Sequence, residues 1–177
     1  MARNSVQQME KDARKIIEEL SSNSSKSINE IAKKCGFSRQ KVWRIIKNLE
    51  KNHTIWGYVA VTDEEKLDKK EFIVLIKRTN KPVDKQFINK IVKRELDKES
   101  EDLGIEILTS IYINGRYDWV ICFQAGDIKE AKRFCENLNK TFEGYISELH
   151  LLEKMFTAKK YGIQNPEIDR INDFFNF

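Results

Sequence analysis

The apolar residues of the first 51 positions recur every three or four residues, which is the spacing of amphipathic helices. One stretch, KDARKIIEEL at 11–20, carries on one face the residues Ala13, Ile16, Ile17 and Leu20. Another, RQKVWRIIKNLEK at 39–51, carries on one face the residues Val42, Ile45, Ile46 and Leu49. The pattern predicts a helix that ends at the polar run 21–27 and a separate helix over 39–51.

A shorter helix with recognisable ends is predicted between these two. Ser27 and Glu30 have the spacing of a capping box, in which each side chain accepts a hydrogen bond from an otherwise free backbone N–H. Gly36 suits the left-handed backbone of a tight turn, and Ser38 is a good N-cap for the next helix. Two helices joined by a short glycine-containing turn, after a preceding helix, predict a helix-turn-helix.

Positive charge concentrates in this N-terminal region of the 177-residue chain. Residues 33–51 contain seven Lys and Arg against one acid, and residues 1–60 contain twelve against six. The remainder contains 20 basic and 22 acidic residues. Such an asymmetry points to a polyanionic partner, and nucleic acid is the commonest one.

The exposed face of helix 39–51 is therefore predicted to contact double-stranded DNA. The N-terminal residues of a recognition helix lie closest to base edges, and later cations suit phosphates. Base contacts are predicted for Arg39, Gln40, Lys41, Trp43 and Arg44, and phosphate contacts for Lys47 and Lys51, with Ser38 at the start of the same surface. The alternatives are a merely solvated cationic face and, for Trp43, packing on a neighbouring residue.

The remaining chain alternates between strand and helix patterns. NHTIWGYVAVTD at 52–63 predicts a linking strand, and EFIVLIK at 71–77 a buried strand. A helix bearing Phe87, a loop at 97–104 and the strand 105–113 follow. Asn114-Gly115 predicts a tight hairpin to the strand 117–124. Asp127 caps another helix, and a last strand is predicted at 146–156.

This order is β-α-β-β-α-β, the ferredoxin-like arrangement, so the fold class is α+β. We expect a helix-turn-helix domain with its linking strand at 1–60 and a linker at 61–70. A ferredoxin-like domain follows at 71–160, and a C-terminal tail at 161–177 carries a short helix with Ile168, Ile171 and Phe174 on its apolar side. Alternating apolar residues in 105–113 and 117–123 give the sheet a second apolar face, which predicts a homodimer.

The domain order and two segments resemble the Lrp/AsnC family, the leucine-responsive or feast/famine regulators. The segments are INEIAKKCGFSRQKVWRIIKNLE leading into IWGY, and INGRYDWVICFQAGD. The resemblance implies a DNA-binding transcription regulator whose ferredoxin-like domain at 71–160 is the dimerisation and effector domain. Such a domain pairs into homodimers that assemble further, and it senses a small molecule, typically an amino acid. The family's effector region carries over onto Gly115 and Asp118, with Asn114, Arg116 and Tyr117 beside them. The alternative is that Asn114-Gly115 only makes the turn and Asp118 is solvated.

Other functional classes find little support in the sequence. Cys35, Cys122 and Cys135 lack metal-ligand spacing, and only His53 and His150 are present, so no metal, cofactor or catalytic site is predicted. No apolar run reaches membrane-spanning length and no secretory signal is visible, so the cytoplasm is expected. Three alternatives stay open: a sirohaem decarboxylase-like enzyme on these two domains, a helix-turn-helix joined to an amino-acid-binding domain of other ancestry, and a partner-binding module without DNA binding.

Overall fold

A computed structural model gives the architecture of residues 2–175, with side chains described from residue 6 onward. The last two positions of the predicted tail, 176–177, lie outside the described residues. Contacts divide the chain into two compact units. The first comprises Met1–Val61 with Ala158–Asn172, and the second comprises Thr62–Thr157 with Asp173–Phe177.

Three helices build the first unit: α1 (Ala2–Ser22), α2 (Ile28–Cys35) and α3 (Arg39–Lys51). Their inner faces form one core of Ile16, Ile31, Ala32, Val42 and Ile46. The predicted helix ends are confirmed. Ser27 and Glu30 form the capping box, Gly36 adopts a φ of 69°, and the Ser38 side chain accepts a hydrogen bond from the Lys41 N–H. The segment therefore folds as the predicted helix-turn-helix.

The second unit is an antiparallel four-stranded sheet with helices on one face. Its elements are β1 (Lys70–Arg78), α4 (Lys85–Val92), α5 (Glu95–Glu101), β2 (Glu106–Tyr112), β3 (Trp119–Ala125), α6 (Ile128–Thr141) and β4 (Ile146–Glu153). The strand order is β2-β3-β1-β4, which confirms the ferredoxin-like α+β prediction. Asp127 caps α6, as predicted.

The helix-facing side of the sheet is the larger core of the protein. Phe72, Val74 and Ile76 of β1 are fully buried there. In register with them lie Phe123, Ile121 and Trp119 of β3, and the helices add Phe134 and Leu138 of α6 and Phe87 of α4. Burial of these side chains supplies the dominant favourable term for folding of this unit.

The opposite side of the sheet is apolar and open. Ile73 and Leu75 of β1 pair with Cys122 and Val120 of β3, and Leu152 pairs with Ile73 from β4. None of these five residues is fully buried, and Leu152 is 46% exposed. Ile111 of β2, which pairs with Val120, is 49% exposed. We call this side the open sheet face.

The linking strand predicted at 52–63 is wrong. Residues 55–63 form neither strand nor helix, and Trp56 is 94% exposed. Aromatic and β-branched residues favour a strand, but the preference is realised only when a neighbouring strand supplies hydrogen bonds and packing. No strand in the described part of the chain pairs with this segment.

The loop predicted at 97–104 is also largely wrong, because α5 extends through Glu101. Its charged residues are good helix formers, and Leu96 and Ser100, one turn apart, are buried on the same side.

The last strand of the sheet is shorter than predicted, because β4 ends at Glu153 rather than at residue 156.

The predicted tail is structured. It contains a two-stranded hairpin, β5 (Lys159–Lys160) and β6 (Ile163–Gln164), followed by a 3-10 helix over Ile168–Asp173. The hairpin turn is Tyr161-Gly162, where both φ values are positive, 49° and 84°. This is the backbone of a two-residue type I′ turn. Residues 158–172 group with the N-terminal unit.

No helix within residues 2–175 is long and apolar enough to cross a membrane.

Candidate nucleic-acid interface

Helix α3 has the two faces that its sequence predicts. Val42, Ile46 and Leu49 are buried against the rest of the first unit. The other side is exposed, and it presents Arg39, Gln40, Trp43, Arg44, Lys47 and Lys51. Because the buried face is fixed in the core, the polar face is held outward in a constant orientation.

A shallow concave surface lies at the N-terminal end of α3. It is lined by Ile28, Ser38, Arg39, Gln40, Lys41, Trp43 and Arg44. Six of the eight residues predicted to contact DNA therefore share one surface, which we call the α3 surface. Lys47 and Lys51 lie farther along the same helix. Trp43 is 54% exposed, so its indole is available to a partner.

The cations of α3 differ in their partners. Among residues 6–175, no ion pair involves Arg39, Arg44 or Lys51. Lys47 Nζ lies 2.7 Å from Glu50 Oε2, and the Tyr58 hydroxyl donates to Glu50 Oε1 at 3.2 Å. Lys47 lowers the pKa of the Glu50 carboxyl, which is therefore charged at neutral pH. Because exposed ion pairs of this kind are weak, a phosphate can take the place of Glu50.

Lys41 is paired with a carboxylate of the first unit, although its side chain is 36% exposed. Its Nζ lies 2.6 Å from Asp12 Oδ2 on α1 and 4.1 Å from the centre of the Phe37 ring. Asp12 is 4% exposed. The sequence did not single out Asp12, although it precedes the buried Ile16 by one helical turn and so lies on the inward side of α1. An acid at an inward helical position was the available signal.

The predicted effector residues lie at the β2–β3 connection, and the tight turn predicted there is wrong. Neither Asn114 nor Gly115 has a positive φ, which a two-residue type I′ turn requires. The strands instead close at Tyr112 and Trp119, with a hydrogen bond from Ile113 N to Asp118 O of 2.9 Å. Asn114, Gly115, Arg116 and Tyr117 form the loop inside this bond.

Asp118 is held by the sheet. Its Oδ2 accepts a hydrogen bond from the Arg78 N–H at 2.8 Å, and its own N–H donates to Ile76 O at 2.9 Å. The structure brings Arg116 and Tyr117 together, with the guanidinium 5.7 Å from the ring centre. The Tyr117 ring also packs edge-on against His150, at 5.6 Å between ring centres.

Arg78 is a second residue that the sequence did not identify. Its guanidinium donates to Lys81 O at 3.0 Å and lies over the Phe87 ring, at 5.6 Å. Its Nε is buried, with no hydrogen-bond partner within the described residues. A charge at the end of the apolar run EFIVLIKR was the only signal in the sequence.

Clusters of side chains that could hold a metal ion are absent from the described part of the chain. No cluster of three or more His, Cys, Asp or Glu side chains lies within residues 6–175.

Burial raises the pKa of the Cys135 thiol to about 11. That thiol is therefore protonated at neutral pH.

Comparison with known proteins agrees with this geometry. Residues 13–55 match the family model for winged helix-turn-helix DNA-binding domains. An AsnC family transcriptional regulator from Agrobacterium tumefaciens is 23% identical, with a TM-score of 0.61 over 84% of this chain and 92% of that chain. The leucine response regulatory protein LrpA of Mycobacterium tuberculosis is 16% identical, with a TM-score of 0.64 over 85% and 94%.

The fold is that of the Lrp/AsnC regulators. A transcriptional regulator from Neisseria meningitidis, solved in complex with L-Met, shares the Lrp/AsnC fold with this chain at 16% identity and a TM-score of 0.60, over 85% of this chain and 92% of that chain. No curated protein sequence matches the chain. In this Lrp/AsnC fold, residues 13–55 cover α2, the turn and α3, and every residue of the α3 surface lies within them.

The geometry of Asp118 predicts a loss of stability when its carboxylate is removed. Asp118→Ala leaves the half-buried Arg78 N–H without an acceptor, which costs about 1–3 kcal/mol in free energy of unfolding. Asp118→Asn keeps an acceptor oxygen and is the matched control, with a smaller loss. Denaturant unfolding of the three proteins measures the difference. An alanine variant as stable as the parent protein would contradict the structural role.

Proposed function

We propose that the protein is a sequence-specific DNA-binding transcription regulator. One observation carries the proposal: six predicted contact residues share the α3 surface, within a segment that matches winged helix-turn-helix DNA-binding domains. Arg39 and Arg44 at this surface form no ion pair in the described region. A bidentate guanidinium contact to guanine is the commonest specific contact to a base.

The residues of α3 divide into two roles in this proposal. Arg39, Gln40, Trp43 and Arg44 belong to the α3 surface and contact base edges. Lys47 and Lys51 lie one and two turns farther along and contact phosphates. Phosphate contacts contribute affinity that falls with salt, while base contacts determine sequence preference.

Substitution at Arg44 and Lys47 separates these two roles. Lys47→Ala is expected to weaken binding to all duplexes alike and to reduce the slope of log K against log salt by about 0.9. Arg44→Ala is expected to weaken the preferred duplex selectively, by about 1–3 kcal/mol for the lost base contact. Fluorescence anisotropy at several salt concentrations measures both effects. Val92→Ala on α4, 73% exposed, is the control that leaves binding unchanged.

Unchanged isotherms for both α3 variants would remove the assignment of α3 as the recognition helix. A parent protein that binds no duplex, including those selected from a random pool, would instead favour a partner-binding module without DNA binding.

We further propose that two copies associate through the open sheet face. Its apolar side chains are contributed by all four strands: Ile73, Leu75, Ile111, Val120, Cys122 and Leu152. A contiguous apolar face of this kind marks an interaction surface. Pairing of two copies brings two recognition helices to one DNA, with half-sites about 34 Å apart or a multiple of that distance.

A charge placed on the open sheet face is expected to break this association. Leu152→Glu buries an unpaired carboxylate in the interface, so the dimer mass is expected to fall to the monomer mass at micromolar concentration. Val92→Glu, at an exposed apolar residue of α4 outside the open sheet face, is the control and leaves the mass unchanged. Sedimentation velocity gives the mass directly. A monomeric parent protein, or a dimeric Leu152→Glu variant, would contradict the proposal.

The effector of the proposed regulator is an amino acid, bound around Asn114, Gly115, Arg116, Tyr117 and Asp118. Support comes from the L-Met complex of the Neisseria regulator, which has the same fold. Arg116 supplies a cation for the carboxylate of a ligand, and one oxygen of Asp118 is already used by Arg78. Thermal shift with each common amino acid tests the proposal, and Arg116→Ala is expected to abolish any stabilisation. No stabilisation of the parent protein would leave a regulator without this effector.

A regulator is favoured over an enzyme by the small number of histidines in the chain. A sirohaem decarboxylase-like enzyme needs basic and His groups around one large pocket. The chain has two histidines, His53 and His150, which are far apart in the sequence. His150 Nε2 lies 3.3 Å from Glu148 Oε2. An altered absorption band of haem or sirohaem on addition of the protein would favour the enzyme instead.

A further inference from the structure

A buried carboxylate on α1 contacts the start of the recognition helix. Asp12 is 4% exposed, and both of its oxygens are used. Oδ1 accepts a hydrogen bond from Gln8 Nε2 at 2.9 Å, and Oδ2 lies 2.6 Å from Lys41 Nζ. The hydrogen bond from Lys41 lowers the pKa of the Asp12 carboxyl, so this carboxyl is charged at neutral pH.

Lys41 is restrained from three directions in the first turn of α3. Its backbone N–H donates to Ser38 Oγ at 3.2 Å, its ammonium contacts Asp12, and the same ammonium lies 4.1 Å from the Phe37 ring centre. Its neighbours Gln40 and Arg44 line the α3 surface. Lys41 therefore joins the base-reading end of α3 to α1.

We infer that Lys41 positions the first turn of α3 through Asp12 and does not contact DNA. This inference rests on the proposed function, and it assigns Lys41 a different role from its sequence neighbours. Apolar contacts at Val42, Ile46 and Leu49 hold the helix in the core, but such contacts are not directional. The Asp12–Lys41 pair adds a directional contact at the end where a small rotation of the helix moves Arg39 and Gln40 most.

Lys41 stays with Asp12, because Asp12 is buried whereas a DNA phosphate is solvated. Transfer of Lys41 to a DNA phosphate would leave a charged Asp12 carboxylate out of water without its cation, which is strongly unfavourable. A contact with a solvated phosphate gains less free energy than the loss of the Asp12 contact costs, since the gain is mainly the release of condensed counterions. Arg39 and Arg44 have no such partner within the described residues and can contact DNA without this cost.

A charge-balanced double substitution tests the inference. Asp12→Asn with Lys41→Met removes the pair without changing the net charge of the protein. We expect affinity for a duplex selected from a random pool to fall about tenfold, since misplaced base contacts cost this much. Affinity for an unrelated duplex of equal length and the salt slope are expected to stay unchanged, because no phosphate contact is lost.

Single substitutions locate the effect. Asp12 does not line the α3 surface, and its contact with α3 is the one with Lys41, so a loss of sequence preference in Asp12→Asn indicates an indirect effect through this pair. We expect this variant to lose as much sequence preference as the double variant. The effects of the two substitutions do not add, because both remove the same contact. Lys41→Arg keeps a cation for the carboxylate and is expected to retain the preference. Thermal unfolding of each variant first verifies that it is folded.

Three results would overturn the inference. A salt slope reduced by about 0.9 in the double variant would make Lys41 a phosphate contact. A loss of preference in Lys41→Met while Asp12→Asn retains it would make Lys41 a base contact. Full sequence preference in the double variant would show that the pair does not position α3. A parent protein that binds no DNA fails the proposed function instead.

Hydrogen exchange provides a measurement that needs no DNA. Loss of the pair is expected to speed amide exchange in the first turn of α3, at Val42 and Trp43, and to leave the last turn unchanged. Lys47→Met, which removes only the exposed pair with Glu50, is the matched control with no such effect. Equal exchange rates in the parent protein and the double variant would contradict the positioning role.

Discussion

Burial of one side of α3 is the constraint on which the DNA-binding account depends. Val42, Ile46 and Leu49 cannot leave the core of the first unit without exposing apolar surface to water. The helical period then dictates that Arg39, Arg44 and Lys47 lie outward. The Ser38 cap begins the helix at the residue that opens the α3 surface, so the N-terminal turn of the helix is also the end that we propose reads base edges.

The helix-turn-helix could be predicted from sequence because each of its determinants is local. Ser27 and Glu30 are three residues apart, Gly36 needs only its own φ, and the apolar face of α3 repeats within thirteen residues. The βαββαβ order was equally predictable, since buried strands such as 71–77 and helices such as α6 differ in hydrophobic period. Ser38, Arg39, Gln40, Trp43 and Arg44 were found on one surface because a short helix end holds them together.

What the sequence did not reveal depends on distant partners. Residues 55–63 have the composition of a strand, but strand formation needs a neighbour that no described residue provides. Asn114-Gly115 has the composition of a two-residue turn, but the bond between Asp118 and Arg78 fixes the start of β3, and the chain closes over a longer loop. Lys41 looked like its neighbours in α3, and only the tertiary contact with Asp12, 29 positions earlier, distinguishes it.

The central claim, that the α3 surface reads DNA sequence, is tested most directly by mapping the protein on chromosomal DNA in its own cells. The parent protein is compared with the Arg44→Ala variant at equal abundance. The account predicts discrete sites that share a motif of two half-sites about one helical turn, or a multiple of it, apart. Occupancy of these sites should be reduced in the variant. The absence of discrete sites, or identical site occupancy in the two proteins, would contradict the account.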